Sequence, residues 1–166
     1  MRDPILPLPG LSCVNGKPVL IKFDGGQLSS DGGILALREV NDRLGVADRI
    51  AGCIADKRSP LHIRHSLAEI ILFRMLMIGS GYEDGIDANA LRTDPMFKMA
   101  LDQSPCGREL CSQSTISRLG TQPDARTLLR QVRALVGPYC ASFHSVPPRL
   151  HPHIDGTFES RPGPTQ

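Results

Sequence analysis

The sequence lacks three features that would place it in a specialised class of protein. Its 19 lysines and arginines against 17 acidic residues leave a net charge of only +2, so the total charge gives no strong signal of polyanion binding. Its longest apolar run, Leu67–Ile78, is shorter than the roughly 20 residues that cross a bilayer and contains two charges. The start, MRDPILPLPG, lacks the basic segment and continuous apolar run of a secretory leader. We therefore expect a soluble, cytoplasmic protein with no membrane partner.

Cysteine and glycine patterns for common binding sites are also missing. The five cysteines are an odd number at irregular spacing, which argues for reduced thiols and against a disulfide framework. Cys106 and Cys111 lack the second pair that a structural zinc site would need. The Asp-Gly-Gly triplets at 24–26 and 31–33 lack the spacing and the lysine of a phosphate-binding loop. We interpret these triplets as turns and caps.

Helical spacing dominates the middle of the sequence. In Leu67–Ile78, apolar side chains point in nearly every direction, which is typical of a helix inside a bundle. Asp94 followed by Pro95 predicts a helix start, with a cap and then a proline at the first helical position. The last helix, Ala125–Phe143, carries three arginines largely on a different face from its apolar residues. We predict a mainly α-helical fold of five or six helices.

Two short stretches are strand candidates, Val19–Phe23 and Leu150–Phe158. The first is rich in branched residues and is followed by a turn. The two could pair, but two strands alone are marginally stable, so helices would have to pack against them.

A polar corner follows the central helix. Three glycines end that helix, and Tyr82, Glu83, Asp84 and Asp87 place four polar side chains within a few residues. Such a corner is either anchored by hydrogen bonds or used in function.

Several short polar motifs follow one another along the chain. They are LSSDGG at 28–33 with LRE at 37–39, GYED at 81–84, DA at 87–88, LRTDP at 91–95 with Leu101, SQSTISRL at 112–119, and IDGT at 154–157. In this order they resemble the N-terminal half of bacterial insertion-sequence transposases of the DDE type, in the group numbered thirteen-eighty. The resemblance spans Phe23 to Thr157. It implies a helical DNA-binding bundle followed by an RNase H-like α/β catalytic domain.

The motif at 112–119 provides the candidate DNA-reading helix. Ser112 or Ser114 can cap it, and four of its side chains suit a phosphate or a base edge: Gln113, Thr115, Ser117 and Arg118. A helix and a glycine-bearing loop precede it, which is the order of a helix-turn-helix reader. The alternative is a capped surface helix that packs through its apolar residues. The resemblance favours DNA binding, to the inverted repeats at the ends of an insertion element.

Two interpretations compete for residues 149–158, RLHPHIDGTF. If they form a strand, His151, His153 and Asp155 project from one face and could hold a metal such as zinc. The resemblance implies instead that Asp155 is a catalytic residue on the first RNase H-like strand and the first of three acidic ligands for two Mg²⁺ ions. Those ions would activate water against a phosphodiester, and then the freed 3′-hydroxyl against target DNA.

The second aspartate and the glutamate of the family's triad have no counterpart in this sequence, which ends at Gln166. We therefore expect an irregular arm with a short strand at 1–27, a helical DNA-binding domain at 28–145, and the start of a truncated catalytic domain at 146–166. Such a transposase fragment would bind double-stranded DNA, but it would be inactive alone and would not bind Mg²⁺ productively.

Two alternative functions stay open. One is a stand-alone helical DNA-binding regulator without catalysis. The other is a metal-dependent hydrolase built on His151, His153 and Asp155. Assembly into a homo-oligomer is also left open.

Overall fold

A computed structural model of the chain describes residues 10–20, 29–141, 143 and 145. These residues form seven α-helices and two 3₁₀ turns. The helices are α1 (Ile34–Leu44), α2 (Val46–Ala51), α3 (Leu67–Gly79), α4 (Ala88–Leu91), α5 (Pro95–Ala100), α6 (Gln113–Gly120) and α7 (Ala125–Ala141), and the 3₁₀ turns are Pro60–His62 and Gly85–Asp87. The prediction of a mainly α-helical fold is confirmed for the described residues.

The described ranges contain no β-strand, and Val14 and Lys17 form an isolated antiparallel bridge. Most of the first strand candidate, residues 21–23, and all of the second, 150–158, lie outside the described residues. Both strands therefore stay predictions. Val19, at the start of the first candidate, is buried in the hydrophobic core.

α3 is the centre of the core, as its apolar pattern predicts. The helix begins with a capping box, in which Ser66 Oγ accepts from the Glu69 amide at 3.0 Å and Glu69 Oε2 accepts from the Ser66 amide at 3.4 Å. Ile70 and Phe73 are at most 2% exposed. Burying each such side chain contributes about 1.5–3 kcal/mol. Phe73 also meets Phe97 of α5 edge to face, with the ring centroids 5.7 Å apart.

α1 lies against both α3 and α5, with Ile34 and Leu35 buried. Gly79 lets α1 approach the end of α3 closely, since a Cβ at this position would lie 2.8 Å from Leu37 Cδ1. Gly45 ends α1 with a φ of 62°, a left-handed conformation that glycine adopts without strain. α2 therefore starts at the next residue and packs on α3 in turn.

α7 packs mainly on α2. Its first turn is fixed by Asp124, whose Oδ1 accepts a 2.8 Å hydrogen bond from the amide of the buried residue Thr127. The apolar side chains beyond this turn remain exposed: Leu128, Leu129, Val132, Leu135, Val136 and Tyr139. α7 therefore borders the bundle and adds little to its core. Each helix in the described part of the chain is too short or too polar to cross a bilayer.

Candidate nucleic-acid interface

Three of the sequence motifs meet at the polar corner after α3. Tyr82 Oη donates to Asp31 Oδ2 at 3.0 Å, which joins the GYED motif to the LSSDGG motif. Ser29 Oγ donates to Asp94 Oδ1 at 3.2 Å, which joins LSSDGG to LRTDP. The hydrogen bond to Asp31 also raises the pKa of Tyr82, since that carboxylate accepts the phenolic proton. These motif residues therefore hold the bundle together.

Further hydrogen bonds hold the backbone of the corner and the side chain of Asp84. Arg74 of α3 donates to the backbone carbonyls of Tyr82 and Glu83. Asp84 Oδ1 accepts from the Ile86 amide at 2.9 Å and so starts the 3₁₀ turn Gly85–Asp87. Of the two possibilities for this corner, hydrogen-bonded anchoring accounts for Tyr82 and Asp84.

Glu69 of α3 binds the loop 101–112, which precedes α6. Its Oε1 accepts from Gln103 Nε2 at 2.9 Å and from Arg108 at 3.1 Å, and it lies 3.0 Å from Nδ1 of the buried His65. These contacts could not be inferred from the sequence, because Arg108 lies 39 residues away along the chain. The spacing of Ser66 and Glu69 could have indicated only the capping box.

Two basic side chains hold the same loop. Lys98 is 7% exposed, and its Nζ donates to the carbonyls of Pro105 at 3.3 Å and Gly107 at 3.1 Å. Arg92 forms an ion pair of 2.6 Å with Glu109. The loop therefore brings the chain to the start of α6 in a fixed position.

Hydrogen bonds also fix the first turn of α6. The Gln113 amide donates to Asn89 Oδ1 at 3.2 Å. Ser112 occupies the N-cap position, with its Oγ 3.0 Å from Ser114 Oγ and 3.2 Å from Thr115 Oγ1. The hydroxyl of Ser112 thus contacts side chains and does not cap a backbone amide.

α6 has one packed face and one exposed face. Ile116 and Leu119 pack against the core, whereas Ser114, Ser117 and Arg118 are exposed. The helix lies mainly against α3 and against the 3₁₀ turn Gly85–Asp87, which is part of the polar corner. This is the packing expected of a surface helix, and it leaves a polar face open to a ligand.

The four predicted DNA-binding residues do not form one row on α6. Ser117 and Arg118 are exposed, whereas Gln113 and Thr115 are half-buried. Gln113 lies one turn from Ser117, and Thr115 lies one turn from Arg118. Thr115 and Arg118 both line a cavity of about 130 Å³. The four residues therefore form two pairs, and the two residues of each pair are neighbours on the surface of α6.

The predicted helix-turn-helix has an unusual connection. Residues 101–112 separate α5 from α6, whereas the turn of this motif spans about three or four residues. The principal neighbours of α6 are α3 and the 3₁₀ turn Gly85–Asp87. A helix-turn-helix reader stays a prediction. The structure shows a helix with an exposed polar face, whose preceding loop and first turn are held by hydrogen bonds.

The predicted catalytic residue and metal ligand, Asp155, lies outside the described residues, as do His151 and His153. Across the ranges that the structure covers, no group of three or more His, Cys, Asp or Glu side chains is placed to hold a metal ion. Burial raises the pKa of the Cys111 thiol to about 11, so this sulfur is a protonated thiol near neutral pH. The Mg²⁺ and zinc hypotheses for residues 151–155 both stay predictions.

A family model described as Transposase DDE domain group 1 matches residues 11–163. No curated protein and no solved structure matched the chain. The matched segment includes all seven helices.

Proposed function

The chain belongs to the transposase DDE domain family, and from this we propose that it is the DNA-end-binding part of an insertion-sequence transposase of the group numbered thirteen-eighty. Transposases of this family generally bind DNA and use divalent metal ions. The finer assignment is supported by the order of the motifs along the chain. Action on element DNA in a bacterium would place the protein in the cytoplasm.

The exposed polar face of α6 is the observation that carries the proposed DNA binding. Ser117 and Arg118 lie on this face and the half-buried Gln113 and Thr115 lie at its two edges, and all four provide donors and acceptors that suit phosphates and base edges. Because the loop before α6 and its first turn are held by hydrogen bonds to α3 and α4, little ordering is needed when DNA binds. We propose that α6 contacts the terminal inverted repeats, and that Arg118 contributes the strongest single contact.

For the catalytic half of the reaction we propose Asp155 as the first acidic ligand of Mg²⁺ in the complete family enzyme. Bound there, Mg²⁺ would supply Lewis-acid activation for phosphoryl transfer. The described residues do not fit the rest of such a site, since they bring no cluster of metal-ligating side chains together. We therefore expect this chain, tested alone, to bind DNA without transferring strands.

Mobility-shift binding of the purified chain tests the proposal. The probes are a duplex with the inverted repeat that flanks the gene and a scrambled duplex, both at fixed salt. We expect preference for the repeat, and we expect Arg118→Ala to weaken binding by about five- to 150-fold, the equivalent of the roughly 1–3 kcal/mol of a good arginine contact. Arg43→Ala, an exposed arginine of α1, is the matched control.

A folded sample with no preference for the repeat would overturn end recognition. Equal binding of both duplexes would favour the stand-alone DNA-binding regulator. Self-association stays a prediction, and light scattering with and without DNA measures it directly.

A further inference from the structure

A groove runs beside α6, between the loop 54–58 and the connection from α6 to α7. One part is the cavity of about 130 Å³, whose lining includes Arg58, Arg118 and Gln122. The other part has a volume of about 350 Å³, and its lining includes Lys57, Gln122 and Arg130. Because Gln122 lines both parts, they are neighbours on one surface. We call this surface the basic groove and define it by Lys57, Arg58, Arg118, Gln122 and Arg130.

The basic groove has an excess of unpaired positive charge. Of its four cations, Arg58 is paired with Asp56 at 2.7 Å and donates to the His65 carbonyl. Arg58 therefore lines the groove with its charge already neutralised by a partner. Lys57, Arg118 and Arg130 form no ion pair with any other described residue. All three are exposed. They are therefore available to an anion.

One acidic side chain, Asp124, also lines the larger part of the groove. It accepts the Thr127 amide in the first turn of α7, and hydrogen bonds from the side chain and the amide of Thr127 lower its pKa. The hydroxyl of Thr127 in turn accepts from Arg130 at 2.9 Å. The Arg130 guanidinium is thus oriented by a buried side chain before any ligand arrives, which reduces the entropy lost on binding.

We infer that the basic groove binds backbone phosphates of double-stranded DNA. This inference rests on the proposed DNA binding by α6 and adds a second, sequence-independent part to its contact surface. Arg118 belongs to both α6 and the groove, so a strand that contacts α6 can continue toward Lys57 and Arg130. Lysine, arginine, glutamine and threonine are the side chains that commonly bind phosphate oxygens. Such contacts set the register of a protein on DNA and make its affinity depend on salt.

The test is the dependence of DNA affinity on salt concentration, measured with the full chain on the inverted-repeat and scrambled duplexes. The groove variants are Lys57→Gln and Arg130→Gln. Lys17→Gln and Arg43→Gln remove the same charges at exposed positions outside the groove and serve as matched controls. Each groove variant should reduce the slope of log K against log salt by about 1 and weaken binding several-fold at about 0.1 M salt. The loss should be equal on both duplexes.

Two outcomes would overturn the inference. One is a slope that changes no more for Lys57→Gln than for Lys17→Gln. The other is a selective loss on the inverted repeat, which would indicate base reading by the groove.

Arg130→Lys keeps the charge and should keep the slope, which separates the effect of charge from any effect on helix folding. Circular dichroism checks the folding of each variant. Equal affinity of the wild-type chain for both duplexes would contradict end recognition by α6 while leaving the slope measurement valid.

Discussion

Removing the carboxylate of Glu69 should both destabilise the bundle and weaken DNA binding. This side chain closes the capping box of α3 and holds Gln103 and Arg108 of the loop that leads to α6. Without it, α3 loses part of its N-terminal cap and the loop loses two of its attachments. The loop that precedes α6 would then be less ordered, and the position of α6 would be less well fixed, although no atom of α6 has been changed.

The expected loss follows from the individual contacts. The hydrogen bonds to His65 and Gln103 each contribute about 1 kcal/mol to the free energy of unfolding. The Arg108 side chain is 49% exposed, so solvent screening limits its ion pair with Glu69 to about 0–1 kcal/mol. The capping box adds about 0.5–1 kcal/mol. We expect Glu69→Ala to lower the free energy of unfolding by about 3 kcal/mol, and Glu69→Gln by about half as much, because its amide oxygen still accepts hydrogen bonds.

Urea unfolding measures this free energy, and mobility shift measures the affinity for the inverted repeat. Glu83→Ala is the control, since Glu83 is an exposed glutamate of the polar corner, and a change there should stay within about 0.5 kcal/mol. If Glu69→Ala were no more destabilised than Glu83→Ala, the contacts of Glu69 would not stabilise the fold as argued. Full stability loss with unchanged DNA affinity would show that α6 does not depend on the loop.

Three further predictions concern single sites. Gly45→Ala should destabilise the protein by about 1 kcal/mol, because alanine is strained at a φ of 62°, whereas Gly33→Ala at a φ of −63° should change stability by less than about 0.5 kcal/mol in the same urea assay. Hydrogen bonds from the side chain and the amide of Arg58 lower the pKa of Asp56 to about 2, so their stabilisation is present above the ordinary pKa of 3.8 and is lost as the pH falls through 2. An NMR titration should give this midpoint, and Arg58→Gln should raise it only part of the way to the ordinary value, because the amide of residue 58 still donates to Asp56. Iodoacetamide at pH 8 should label the exposed Cys13 in the native protein and Cys111 only after unfolding, and mass spectrometry that found native labelling of Cys111 would contradict its burial.

The sequence by itself determined the features that depend on residues close to one another along the chain. The apolar pattern of Leu67–Ile78 predicts a buried helix because a helix with no polar face can be satisfied only inside a bundle, and α3 is buried. Asp94 and Pro95 predict a helix start through local geometry, and Asp94 Oδ1 accepts from the amides of Met96 and Phe97. The polar motifs at 28–119 likewise indicated a transposase family before any contact was known.

Only the tertiary structure decided which distant residues meet. Tyr82 and Asp31 are 51 residues apart, and Glu69 and Arg108 are 39 apart, so neither hydrogen bond follows from local spacing. Lys57 and Arg130 likewise line the same part of the basic groove, although they are far apart along the chain and share no sequence motif. A helical pattern fixes which side chains share a face, but the neighbours of that face depend on how the helices pack. For this reason the polar helix α6 could be predicted from the sequence, and the surface beside it could not.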